Sequence, residues 1–134
     1  MNKLKTKGFT LIEVVIVLAV GALIILVVLQ AVTSAQRNQR DSARRSEAAR
    51  ISAALESRAA NNNGVYPTTG GFAAFLTQYE PELATKGWVN AGTFAGACAA
   101  QTSTTYQVRY TVAPNSRDYD LKGCLEQGEV ILRQ

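Results

Sequence analysis

Apolar residues are distributed very unevenly along this chain. From Phe9 to Leu29 the sequence reads FTLIEVVIVLAVGALIILVVL, broken by a single charge, Glu13. As a helix this run of about 21 residues spans roughly 31 Å, the thickness of a bilayer's hydrocarbon core. From Gln30 to Ala60 the composition turns to Ala, Arg, Glu, Gln and Ser, with neither Pro nor Gly. Those residues are good or tolerable helix formers, so nothing ends the helix at Leu29. Within the polar part, Ala48, Ile51, Leu55 and Ala59 recur at three- and four-residue intervals and form a narrow apolar stripe. The pattern predicts one helix from Phe9 to about Ala60, roughly 78 Å long. It should stop at Asn61-Asn62-Asn63-Gly64 and dock its stripe on a C-terminal sheet. Gly21 is its weakest point, at up to about 1 kcal/mol relative to alanine. Local melting and a close helix contact are both compatible with a glycine there.

Beyond the break, Val65-Tyr66-Pro67-Thr68-Thr69-Gly70-Gly71 reads as a turn. Phe72, Phe75, Leu76 and Tyr79 then mark one side of a short amphipathic helix over Phe72–Tyr79. From Lys86 to Thr104 the chain is Gly-, Ala- and Thr-rich with Trp88 and Phe94 as isolated anchors, and an irregular surface loop is expected. Tyr106, Val108, Tyr110 and Val112 alternate with polar residues, the period of a half-buried strand. Ala113-Pro114-Asn115-Ser116 makes a turn; Tyr119, Leu121 and Leu125 suggest a second strand, and Gln127-Gly128 precedes a third at Val130-Ile131-Leu132. The expected fold class is α+β: a long N-terminal helix packed on a small three-stranded antiparallel sheet. Residues 1–8 would be a basic leader, 9–29 an apolar membrane segment, 30–60 its amphipathic continuation and 61–134 an exported globular region.

Charge narrows the function. The formal net charge is +4, and removal of Lys3, Lys5 and Lys7 with the leader would leave +1. A nearly neutral remainder argues against a dedicated nucleic-acid site. Arg37, Arg40, Arg44 and Arg45 form a basic stretch, but Asp41 stands four residues before Arg45 and Glu47 three before Arg50, spacings that suit intrahelical pairing. Histidine is absent, which removes the commonest general base and metal ligand. No phosphate-binding loop, dinucleotide glycine motif or cysteine–histidine cluster occurs. No enzyme, metal or cofactor is therefore expected. Asp118 and Asp120 are two residues apart in or beside a loop and could contribute to a calcium site, but full oxygen coordination needs more ligands, and solvated turn residues are the simpler reading. Cys98 and Cys124 both lie in the distal half; export to an oxidising compartment would favour a disulfide over two buried thiols.

Glu13 is the residue that needs explaining. A carboxylate at mid-span costs roughly 2.5–3.5 kcal/mol, so one retained near the start of an apolar helix needs a partner. The residues admit a removable secretory signal, a plain anchor or a processed filament segment. A secretory core is usually about 7–15 residues, and the small-residue site at Thr33-Ser34-Ala35 would follow a core carrying Glu13. The basic leader MNKLKTKG followed by Gly8-Phe9-Thr10-Leu11-Ile12-Glu13 strongly resembles the processing site of type IV pilins and pseudopilins. The Tyr-Pro-Thr turn is similar to the loop that follows the long helix in many of them. Many members also carry a proline partway along that helix, and this sequence has none there.

The resemblance implies that a prepilin peptidase cuts the Gly8–Phe9 bond and methylates the Phe9 amine. Glu13 would then neutralise that amine, within its own chain or in a neighbouring subunit, and set axial register. The partners implied are the peptidase, other copies or related pilins, and an inner-membrane assembly platform. Lys3, Lys5 and Lys7 favour an inside N-terminus and an outside C-terminus, although Arg37, Arg40, Arg44 and Arg45 pull the other way and Asp41 and Glu47 offset them in part. The expected product is a single-pass precursor that becomes a structural subunit of a type IV pilus-like filament. A pseudopilin of a secretion or DNA-uptake machine and a non-polymerising anchored binding module are the alternatives.

Overall fold

The computed structural model describes residues 8–90, 98 and 101–133. Lys3, Lys5, Lys7 and Phe94 lie outside the described residues. Helix α1 occupies Leu11–Asn61, α2 Phe72–Tyr79 and α3 Pro81–Lys86; strands β1 (Trp88–Asn90), β2 (Tyr106–Val112), β3 (Tyr119–Leu125) and β4 (Gly128–Arg133) complete the chain. The molecule divides into two compact units, Met1–Gln36 and Arg37–Gln134. In the first, every described residue is exposed except Gly21, which is half-buried, and the helix passes through that glycine without interruption. A Cβ added at Gly21 would meet nothing within 4 Å. Within one chain, therefore, this glycine is neither unwound nor closely packed.

The second unit is built on the stripe of α1. Ala48, Ile51, Leu55 and Ala59 are all buried, together with Val108 and Tyr110 of β2, Tyr119 and Leu121 of β3, and Phe72, Phe75 and Leu76 of α2. Each fully buried Ile or Leu contributes about 1.5–3 kcal/mol, so this stripe holds the helix to the sheet. α1 ends where the backbone turns left-handed, at Asn63 (φ 55°) and Gly64 (φ 76°), with the Gly64 N–H donating to Ala59 O at 2.8 Å. The sheet order is β1-β2-β3-β4. β2–β3 and β3–β4 pair antiparallel, as the alternation predicted, while β1 joins β2 in parallel, Trp88 opposite Tyr106.

β1 departs from the loop expected between Lys86 and Thr104, and just before it stands α3, a helix that the periodicity did not predict. Pro81 opens α3 and Gly87 (φ 86°) closes it in the left-handed region, so the chain re-emerges extended and buries Trp88. The Asn90 side chain then continues the ladder, donating to Tyr110 O at 2.9 Å and accepting from Tyr110 N at 3.1 Å. Three residues are too few to show a period, and their pairing is set by the tertiary burial of Trp88.

Helix and sheet approach most closely at Gly123 in β3. A Cβ there would stand 3.0 Å from both Ala48 Cβ and Val130 Cγ1. Gly123→Val is expected to lower stability by about 1–3 kcal/mol through overpacking, and Gly123→Ala falls lower on the same scale of crowding. Thermal melts of the purified chain check this; an unchanged Gly123→Val midpoint would refute the close approach.

Asp41, Glu47 and Arg50 of α1 find tertiary partners in place of the intrahelical pairs Asp41–Arg45 and Glu47–Arg50 that their spacing suggests. Asp41 accepts from the backbone N–H groups of Glu126 (2.7 Å) and Gln127 (3.0 Å), which fixes the β3–β4 turn, and its nearest guanidinium is Arg44 at 3.6 Å, not Arg45. Glu47 takes the Lys86 ammonium and the Trp88 indole N–H (2.8 Å). Arg50 pairs with Glu80 at 2.5 Å and Glu82 at 3.4 Å. Spacing names only the partners available on the helix surface, whereas packing brings others within reach. At the C-terminal strand, Glu56 accepts from Tyr66 OH (2.7 Å), Tyr119 OH (3.1 Å) and Arg133 Nη1 (2.6 Å). Burial first, then the Glu56 carboxylate, pushes the Tyr66 phenol up to about 12.

Candidate functional site

The residues singled out at the N-terminus lie together around the first turn of α1. Gly8, Phe9 and Thr10 are not helical, and the helix begins at Leu11. Thr10 and Glu13 decide that start. Glu13 Oε2 accepts from the Thr10 backbone N–H and from its hydroxyl, both at 2.9 Å, while Thr10 Oγ1 accepts from Glu13 N–H at 3.4 Å. This is a reciprocal capping box, in which a Thr and a Glu three residues on satisfy each other's backbone donors. The first-turn carboxylate also faces the positive end of the helix dipole. Thr10 was not singled out by sequence, although Thr-x-x-Glu ahead of an apolar run is a known start signal.

The peptide bond between Gly8 and Phe9 is therefore left outside the helix, and Phe9 is 88% exposed. A Cβ at Gly8 would meet nothing within 4 Å, so the fold of this chain places no steric demand for glycine there. Phe9, Glu13, Val14, Val17 and Leu18 line an open depression of about 310 Å³. Glu13 supplies the charge at one end of a surface that is otherwise apolar. Over the helix that follows, an 18-residue window reaches a mean hydropathy of 3.2 with none of it buried. The helix is long and apolar enough to cross a membrane, and no residue of that window is buried among the described residues.

Cys98 and Cys124 form a disulfide closing a sequence separation of 26, with their Cα atoms 5.6 Å apart. Strand alternation puts Cys124 on the face of β3 opposite Gly123, so the bridge secures the chain that leads into β2 on the side away from α1. Asp118 is engaged with Arg133, whose Nη2 and Nε stand 2.9 and 3.2 Å from Oδ1, while Asp120 accepts the Thr111 hydroxyl at 3.4 Å. Among the described residues no group of three His, Cys, Asp or Glu side chains converges.

A second polar cluster, missed by sequence, lies between α1 and the β3–β4 turn. Arg40 clamps Glu126 through Nε (2.7 Å) and Nη2 (3.0 Å). Arg44, only 2% exposed, donates to Thr102 O, stands 3.5 Å from Glu126 Oε1 and stacks 5.4 Å from the Tyr106 ring centroid. The Arg40 hydrogen bond holds the Glu126 carboxyl below its usual range. No sequence signal ties residues 86 positions apart.

Residues 3–29 match the family model of the prokaryotic N-terminal methylation motif. The match supports a type IV pilin-like or pseudopilin protein, a class of structural proteins whose motif implies processing by prepilin peptidase and assembly into filaments. No curated protein and no protein of known structure matches the chain.

Proposed function

We propose that this chain is a structural subunit, a major or minor pilin, of a type IV pilus-like filament. The observation that carries the reading is the methylation motif at residues 3–29 joined to an apolar helical window that is not buried among the described residues. Leader removal at Gly8–Phe9 would leave an amine on Phe9, to be methylated, one helical turn from Glu13. Before assembly the apolar run anchors the precursor in the cytoplasmic membrane, leader inside and residues 61–134 outside. In the filament the same surface packs against other copies, where lipid is replaced by identical apolar helices. Glu13 then supplies the counter-charge for the Phe9 ammonium of a neighbouring subunit and fixes register, because an unmatched charge in an apolar core is heavily penalised. The assembly platform and the peptidase are the partners this route requires.

Mass spectrometry of membrane and sheared surface material tests the reading. The expected N-terminus is N-methylphenylalanine at Phe9, recovered from filaments, and Gly8 replaced by a bulky residue should strand the precursor. An intact Met1, or a cut after Ala35, would sink the proposal. Filaments confined to the periplasm and absent from the sheared fraction would place the chain with the pseudopilins.

A further inference from the structure

Three arginines stand on successive turns of α1, and two of them are consumed. Arg40 is committed to Glu126, and Arg44 is buried against Thr102 O, Asp41 and Glu126. Both oxygens of Asp41 already accept backbone N–H groups. Three guanidinium groups thus face two carboxylates, which leaves one positive charge in excess. Arg44 Nε and Nη1 make no hydrogen bond, so even the buried guanidinium is not fully satisfied. Arg37 has neither an ion pair nor a hydrogen bond among the described residues. It opens onto a notch of about 400 Å³ lined by Arg37, Arg40, Gln101, Thr102, Ser103 and Glu126. Every lining side chain is polar, so the notch has little to offer an apolar ligand.

We propose that this notch binds the phosphate group of an anionic phospholipid, with Arg37 as the principal contact. A planar guanidinium fork matches the tetrahedral oxyanion, and its charge-assisted hydrogen bonds are among the stronger ones. The lipid source follows from sequence position: Arg37 comes eight residues after Leu29, the end of the apolar run. The inference rests on the membrane reading above, because only an anchored chain would hold Arg37 near headgroups. Its consequence is a headgroup contact that the precursor keeps while it waits in the membrane and must give up on entering a filament.

The test uses the full-length chain in micelles of an uncharged detergent, as wild type, Arg37→Gln and Arg45→Gln. Arg45 is exposed and outside the notch, so its loss changes net charge equally. Short-chain phosphatidylglycerol should shift the backbone amide resonances of Gln101, Thr102 and Ser103 saturably. Arg37→Gln should weaken that binding roughly tenfold or more, as expected for one charge-assisted hydrogen bond, and Arg45→Gln should weaken it far less. Equal losses in both variants, or no saturable shift in the wild type, would overturn the site. Inorganic phosphate binding as tightly as the lipid would overturn the lipid assignment. The membrane reading fails by a different route: a precursor that alkaline carbonate strips from membranes would refute anchoring whatever the micelle titration gives.

Discussion

Glu13→Leu is expected to abolish filaments, or reduce them steeply, while leaving cleavage after Gly8 intact. The leader and the scissile bond are untouched, and loss of a carboxylate from an apolar helix should leave membrane insertion unharmed or improved. Two roles for Glu13 predict different magnitudes. As a partner of Thr10 in its own capping box, it is worth about 1 kcal/mol, the usual scale of a helix cap. As counter-charge to a Phe9 ammonium inside a filament core, its removal strands a buried charge at roughly 3–5 kcal/mol. Glu13→Gln separates the two, because glutamine at the third helical position still completes a capping box but carries no charge. Both variants should lose filaments if register is the role. Filament yield at matched precursor levels is the measurement, with mature N-termini counted in parallel. Normal yield from Glu13→Gln beside a deficit in Glu13→Leu would reduce Glu13 to a cap.

Periodicity proved reliable where an element buries one continuous face. The stripe Ala48, Ile51, Leu55 and Ala59 could be read because a helix facing a core must repeat its apolar residues every three or four positions, and all four are buried. α2 and the inward residues of β2 follow the same logic. β1 escaped because three residues show no alternation and a parallel pair has no hairpin turn to announce it. α3 escaped although Pro81 at its start and Gly87 after its end are the residues expected there; a six-residue helix carries too little periodicity to support them.

At the N-terminus, the methylation motif was legible because its pattern is local: a run of alternating lysines, Gly8 and Phe9, and a carboxylate at Glu13. The capping box is equally local, but the cost of a carboxylate in an apolar helix points to a charged partner, in its own chain or a neighbour, and not to the Thr10 side chain. The Arg40–Glu126 and Asp41–turn contacts were out of reach in principle. They depend on the fold closing residues 38–44 against residues 126 and 127, and no spacing rule links such distant positions.

Reduction of the Cys98–Cys124 bridge should cost the globular unit about 3.5 kcal/mol, the chain-entropy value for a loop of about 26 residues. The loss is large for this unit because its core is small. The bridge closes a loop containing the whole of β2 and most of β3, the two central strands. Without it, the unfolded chain regains that freedom while Cys124, fully buried, leaves two thiols in place of one compact sulfur pair. For a unit of about 100 residues, a loss of this size lowers the melting temperature by roughly 15–25 °C. The measurement is the thermal melt of the full-length chain in detergent, followed by near-ultraviolet circular dichroism, with and without reductant. A Cys98→Ser/Cys124→Ser double variant should melt where the reduced wild type melts and should not respond to reductant. The far-ultraviolet signal of α1's apolar half should persist through that transition, since none of its side chains depends on the bridged sheet for burial. A melt unmoved by reduction, or two alkylatable thiols in protein isolated without reductant, would show that the sheet holds without its covalent tie.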